Sequence, residues 1–195
     1  MIEGADPIDP TGSVSAIVVM GLMGAGKTTV GRILAGRLGW PLDDSDAAIE
    51  ACEGQTVRQL REAMGTEGMH ALEARHLLDA LAAGRPRVVA PAAFTIEVAA
   101  CRAALIAPDV AAVWLRAAPA RLAARFPAGA HRPSYGHDPA AFLAEQAERR
   151  DPLFANVARI EVDVEHRTPD VTADAILEAL LQCIGNAAPS VVRRV

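Results

Sequence analysis

Lysine is almost missing from this chain: its 19 basic residues include one lysine, Lys27, and the others are arginines. Basic charge is also in deficit, with a net charge of -5, so there is no cationic field to favour nucleic acid. No apolar run reaches the roughly 18–20 residues that a membrane helix needs, so no membrane partner is expected. Cysteines are few. Cys52, Cys101 and Cys183 are far apart and odd in number, and no Cys-x-x-Cys or His-rich spacing points to zinc. The expectation is reduced thiols in a cytoplasmic protein. Residues 1–15 lack the basic and apolar regions of a signal peptide and read as a disordered lead-in rich in Pro and Gly. There is no internal repeat and no second apolar core. One domain is expected over 16–184, with a disordered tail over 185–195.

What is present is a regular alternation. Residues 16–20, AIVVM, form a short apolar run stopped by Gly21, the pattern of a buried parallel strand. From Thr28 the apolar positions Val30, Ile33, Leu34 and Leu38 recur at helical spacing, and Gly39 ends the helix. Residues 40–43 predict a second strand ending at Asp44, followed by a helix from Asp46. Two more helices are expected over 56–65 and 67–83, broken near Gly65. A brief strand over 88–90, a helix over 95–106 and a strand over 110–115 come next. Pro119 opens a helix. The loop 127–139, dense in Pro, Gly and His, reads as a mobile lid inside the domain. A helix over 140–150, a strand over 158–164 and a helix over 170–183 complete the pattern. Alternating strands and helices imply a parallel sheet with helices on both faces, an α/β class.

Gly21-Leu-Met-Gly-Ala-Gly26-Lys27-Thr28 fits G-x-x-x-x-G-K-[ST], between a strand and a helix as that motif requires. Glycines let backbone N–H groups converge on a phosphate, and the helix start adds the positive end of its dipole. Gly24, Ala25, Gly26, Lys27, Thr28 and Thr29 are therefore the expected nucleotide cradle. Lys27 reaches the β- and γ-phosphates and Thr28 ligates Mg²⁺. A compact ammonium fits this cradle and the wide planar fork of arginine does not. The expected ligand is ATP. No Asn-Lys-x-Asp guanine motif appears, so a GTPase is not expected.

Asp44-Ser45-Asp46 stands at the end of the second strand, the edge that lines the ligand crevice of a parallel sheet. One carboxylate helps hold Mg²⁺ and the other orients and deprotonates an alcohol acceptor. The competing reading makes Asp46 a helix cap and Asp44 a solvated loop residue.

At this point GLMGAGKTTVGRILAGRLGWPLDDSDAAIE resembles the opening of the shikimate kinases. The resemblance runs from about Ile17 to Cys183. It implies a P-loop nucleoside-monophosphate-kinase-like three-layer fold with a five-stranded parallel sheet. It also implies Mg·ATP-dependent phosphorylation of the shikimate 3-hydroxyl in aromatic amino-acid biosynthesis, by a monomer. By that likeness Asp46 is the acceptor-side carboxylate and Asp44 lies nearer the magnesium. Arg132 matches the lid arginine that reaches the transferring phosphate. Arg125 matches an arginine that stacks on adenine, and Arg167 and Pro169 match the opposite wall of the adenine slot. Arg150, in RDPLF, matches the arginine that binds the acceptor carboxylate, while Arg149 is expected to be solvated.

Three departures fall on the acceptor side. Where the family has G-F-R this chain has Gly68-Met69-His70, and a neutral His70 offers no bidentate fork. Glu73, which would steady that arginine, is left to hold His70 and raise its charged fraction. Three family glycines align with Pro91-Ala92-Ala93, so the pocket shape differs, though the N–H groups of Ala92 and Ala93 are still able to point inward. An aromatic position aligns with Arg61, which either supplies the missing fork or faces solvent one turn from Arg58. The substrate-binding set is Asp46, Arg61, His70, Ala92, Ala93 and Arg150. The alternatives to shikimate are another sugar acid or cyclitol, in the manner of a gluconate kinase, and a non-catalytic ATP-binding module.

Overall fold

The protein is described by a computed structural model, in which residues 14–125, 138–185 and 193–195 are placed. Strand β1 (Ala16–Met20) is buried along its whole length. It leads through the glycine loop into α1 (Lys27–Leu38), which starts one residue earlier than the apolar periodicity indicates. Then come β2 (Leu42–Asp44), α2 (Ser45–Glu53) and the long α3 (Val57–Ala82). Strand β3 (Arg87–Ala90) is followed by a 3₁₀ turn (Ala93–Glu97) and α4 (Ala99–Leu105), where one helix over 95–106 was expected. The chain continues through β4 (Val110–Arg116), α5 (Pro119–Ala124), α6 (Pro139–Val157), β5 (Ile160–Asp163) and α7 (Pro169–Gly185).

The five expected strands are parallel and run β2-β3-β1-β4-β5, with a two-residue β6 (Arg193–Arg194) at the edge beside β5. The end of the tail is therefore part of the sheet: Val195 N–H donates to the Glu161 carbonyl at 3.0 Å. The lead-in is likewise fixed at its end, since the Ser15 N–H donates to the Asp109 carbonyl at 2.7 Å. β1 is fully covered because it is central, with β3 on one side and β4 on the other. The main core joins this sheet to the helices through Leu34, Leu77, Leu105, Leu122, Leu143, Phe154 and Ile176.

Two breaks in the regular pattern shape the site. α3 is interrupted at Gly65, which holds φ 72° and ψ -179°, a region open essentially to glycine alone. A small separate core of Ile49, Leu60 and Met69 packs α2 against both halves of α3. α6 was expected to stop at 150, before Pro152, but runs on to Val157. Proline removes one helical hydrogen bond, and burial of Phe154 and Val157 holds the last turn regardless. Arg150 thus projects from the body of a helix rather than from its frayed end.

Candidate active site

The carboxyl ends of β1, β2 and β3 come together at one edge of the sheet, with Asp44 opposite Ala90 in register. The glycine loop passes close to the β4 side. A Cβ on Gly24 would sit 2.7 Å from the Leu122 carbonyl oxygen and one on Gly21 would sit 2.5 Å from that of Leu115. Larger residues would push the loop out of place. Gly26, at φ 93°, caps α1 with no side-chain hydrogen bond, so the first N–H groups of the helix face the loop. Ala25 is buried, and Thr28 and Thr29 are exposed in the first turn of α1. Lys27 Nζ donates to the carbonyls of Gly21 at 3.0 Å and Leu22 at 3.3 Å, folded over the loop that would receive a phosphate.

Thr28 Oγ1 donates to Asp44 Oδ2 at 2.6 Å, tying α1 to the end of β2. This hydroxyl and carboxylate are hard oxygen ligands side by side, a donor set that suits Mg²⁺. Asp44 is also the cap of α2, accepting from the Ala47 N–H at 3.4 Å. The cap is thus Asp44, not Asp46. Asp46 lies in the first turn of α2 and is exposed. The neighbouring Asp43 points the other way. It meets His76 Nε2 at 2.7 Å and Arg87 Nη1 at 3.4 Å. The His76 hydrogen bond holds the Asp43 carboxyl below its ordinary value, and the same bond raises His76. This trio pins β2 to α3 and β3.

The residues expected on the acceptor side form a second group. Arg61 Nη2 lies 3.7 Å from Glu73 Oε1, with 29% and 6% of the two side chains exposed. Burial pushes the Glu73 carboxyl up to about 7, against the opposing pull of Arg61, while the Asp46 charge adds to the rise. The expectation that Glu73 holds His70 is therefore not met: Glu73 pairs with Arg61. His70 instead stacks face to face on Phe94, with centroids 3.4 Å apart and planes 7° apart. Its pKa falls rather than rises, first through burial and then through the charge of Arg61. A neutral imidazole is what the stack contains near neutral pH.

Arg150 donates from Nε to Glu97 Oε1 at 2.5 Å, and its Cζ lies 6.0 Å from the centroid of the Phe94 ring. Arg149, expected to be solvated, is half-exposed but reaches the same Glu97 oxygen at 3.1 Å. No residue other than glycine among those described has positive φ, so Pro91-Ala92-Ala93 does not reproduce a glycine backbone. Ala92 takes φ -60° and ψ 141°, its carbonyl accepts from Thr95, and Ala93 opens the 3₁₀ turn. Sequence reasoning missed Phe94 and Glu97. Their spacing of three was a usable signal only once a 3₁₀ turn was recognised there.

At the far end of the cradle Arg125 Nη2 donates to the carbonyls of Val164 at 2.8 Å and Glu165 at 3.3 Å. This brings α5 to the segment that carries the half-buried Arg167 and the exposed Pro169. Arg132 lies outside the described residues. So does the lid, except that Asp138 and Pro139 form the cap and first residue of α6.

The site can be set beside known proteins. A family model described as shikimate kinase matches residues 23–181. The shikimate kinase of Symbiobacterium thermophilum is 39% identical over 168 residues, covering 84% of this chain and 95% of that one. The solved shikimate kinase from Acinetobacter baumannii in complex with shikimate superposes with a TM-score of 0.81 at 30% identity, covering 87% and 94% of the two chains. A gluconokinase from Sinorhizobium meliloti 1021 reaches a TM-score of 0.60 at 27% identity, covering 88% and 94%.

Proposed function

Since this chain belongs to the shikimate kinase family, we propose that it transfers the γ-phosphate of ATP to the 3-hydroxyl of shikimate through the residues described above. It is a phosphotransferase with a hydroxyl acceptor. The observation that carries the reading is the 2.6 Å contact between Thr28 and Asp44. That contact sets the glycine loop and the Asp44-Ser45-Asp46 corner at one sheet edge.

In the proposed roles Gly24, Ala25, Gly26, Thr28 and Thr29 offer backbone N–H groups to the triphosphate. Lys27 exchanges its loop carbonyls for phosphate oxygens. Thr28 and Asp44 fit Mg²⁺, which when bound offsets the negative charge of the phosphates. Asp46 orients the acceptor hydroxyl and takes its proton, and the transfer needs no covalent enzyme intermediate. Arg125, Arg167 and Pro169 border the adenine. Arg132 is assigned to the transferring phosphate by the family likeness, and cationic donors there favour the transition state.

On the acceptor side Arg61 and Arg150 are the two guanidinium groups assigned to the shikimate carboxylate, with His70, Ala92 and Ala93 lining the pocket. Arg61, steadied by Glu73, supplies the fork that His70 lacks. A monomer in the cytoplasm is what the family likeness implies for this chain. The sugar-acid reading is not favoured, because the gluconokinase likeness is weaker than that to the shikimate kinases.

Mass spectrometry of the product tests the reading. Incubation with Mg·ATP and equimolar shikimate and gluconate is expected to yield monophosphorylated shikimate. Phosphogluconate as the main product, or no phosphorylated acid, would contradict it.

A further inference from the structure

The 3₁₀ turn after β3 carries two residues that no assigned role uses, Phe94 and Glu97. Residues three apart eclipse one another in a 3₁₀ helix, so ring and carboxylate share one side of the turn. Both meet Arg150. Glu97 Oε1 takes its Nε at 2.5 Å, and the Phe94 ring centroid lies 6.0 Å from its Cζ. Glu97 also meets Arg149 at 3.1 Å, and His70 covers Phe94 at 3.4 Å. Arg150 is only 11% exposed, so its long side chain is held along its length.

From this we infer that Glu97 is a positioning residue for the acceptor, acting through Arg150 on the platform that Phe94 and His70 provide. The inference rests on shikimate as the acceptor. Glu97 engages the Nε edge of Arg150, which leaves the fork of two Nη groups as the part to meet an incoming carboxylate. A fork fixed in advance loses less freedom when it binds. The Pro91-Ala92-Ala93 segment, which the family likeness sets against three glycines, has an ordinary backbone of negative φ that leads into the turn presenting these two side chains.

The test compares wild type with Glu97→Gln and Glu97→Asp, using shikimate and its carboxamide as acceptors in a coupled ADP-release assay. Glu97→Gln is expected to raise KM for shikimate about 10-fold, the scale of one charge-assisted hydrogen bond. The carboxamide KM, the KM for ATP and kcat are expected to stay within about twofold. Glu97→Asp restores part of the loss. If Glu97→Gln does not melt cooperatively, Glu97→Asp and Phe94→Leu carry the same comparison. An unchanged or lowered shikimate KM, or equal losses with both acceptors, would overturn the inference. Wild type that phosphorylates no shikimate would overturn the functional reading itself, a result visible before any variant is compared.

Discussion

Arg61 and Glu73 stand twelve positions apart in the same long helix, yet their charged ends are 3.7 Å from each other. In an unbroken helix that separation is about 18 Å along the axis. The break at Gly65 removes the distance by letting the first part of α3 turn back over the second. The placement of Arg61, the guanidinium proposed for the acceptor, thus depends on the backbone break at Gly65.

Gly65→Ala is expected to destabilise the fold by about 1–3 kcal/mol, because a Cβ is poorly tolerated at φ 72° and ψ -179°. It is also expected to raise the KM for shikimate while leaving that for ATP near wild type. Thermal denaturation and steady-state kinetics check both parts. A variant with normal stability and normal shikimate KM would show that the break has no such role.

Glu73 links this pair to pH. Its carboxyl moves from an ordinary 4.5 to about 7 on folding, with burial the largest cause. Between those values the native state binds more protons than the unfolded chain, so stability falls as pH rises through the window. Protonation also weakens the hold on Arg61, so shikimate KM is expected to rise as pH falls from 8 to 6. Glu73→Gln is expected to flatten the stability slope between about 4.5 and 7. Denaturant titrations across that range decide the matter, and a slope that survives the substitution would assign it elsewhere.

Asp46→Asn is expected to lower kcat by about 10²- to 10⁴-fold, the usual contribution of a positioned base. ATP affinity by calorimetry is expected to remain near wild type, since the phosphate cradle is untouched. Lost ATP binding would place Asp46 on the donor side instead.

Asp44→Asn separates metal binding from folding. Asparagine caps helices as well as aspartate does, so α2 is expected to keep its stability. The Mg²⁺ concentration for half-maximal rate is expected to rise about 10- to 100-fold, as for other groups that orient a metal's ligands. An unchanged Mg²⁺ dependence would leave Asp44 with its cap alone.

The arrangement of the proposed donor half was legible because it is local. Glycine loop, Lys27, Thr28 and the Asp44-Ser45-Asp46 corner each lie in a short stretch whose backbone does the work. The order of strands and helices followed from apolar periodicity, and the break at Gly65 was readable from the residue itself. The contacts of the proposed acceptor half were not legible in the same way, because its partners are distant in sequence. Nothing local tells that Glu73 takes Arg61 rather than His70, or that Phe94 stacks on His70. α6 ran past Pro152 because buried Phe154 and Val157 outweigh one lost hydrogen bond. The pairing of the last residues with β5 depends on the sheet edge, not on the tail's composition.

The most direct test is ADP release from Mg·ATP as shikimate is titrated, for wild type and Arg61→Ala. The account predicts shikimate-dependent release by wild type. It predicts a shikimate KM raised about 10- to 100-fold in Arg61→Ala, from the loss of roughly 1.5–3 kcal/mol of charge-assisted binding, with the ATP KM unchanged. No stimulation by shikimate while ATP still binds, or an Arg61→Ala enzyme with the wild-type shikimate KM, would contradict it.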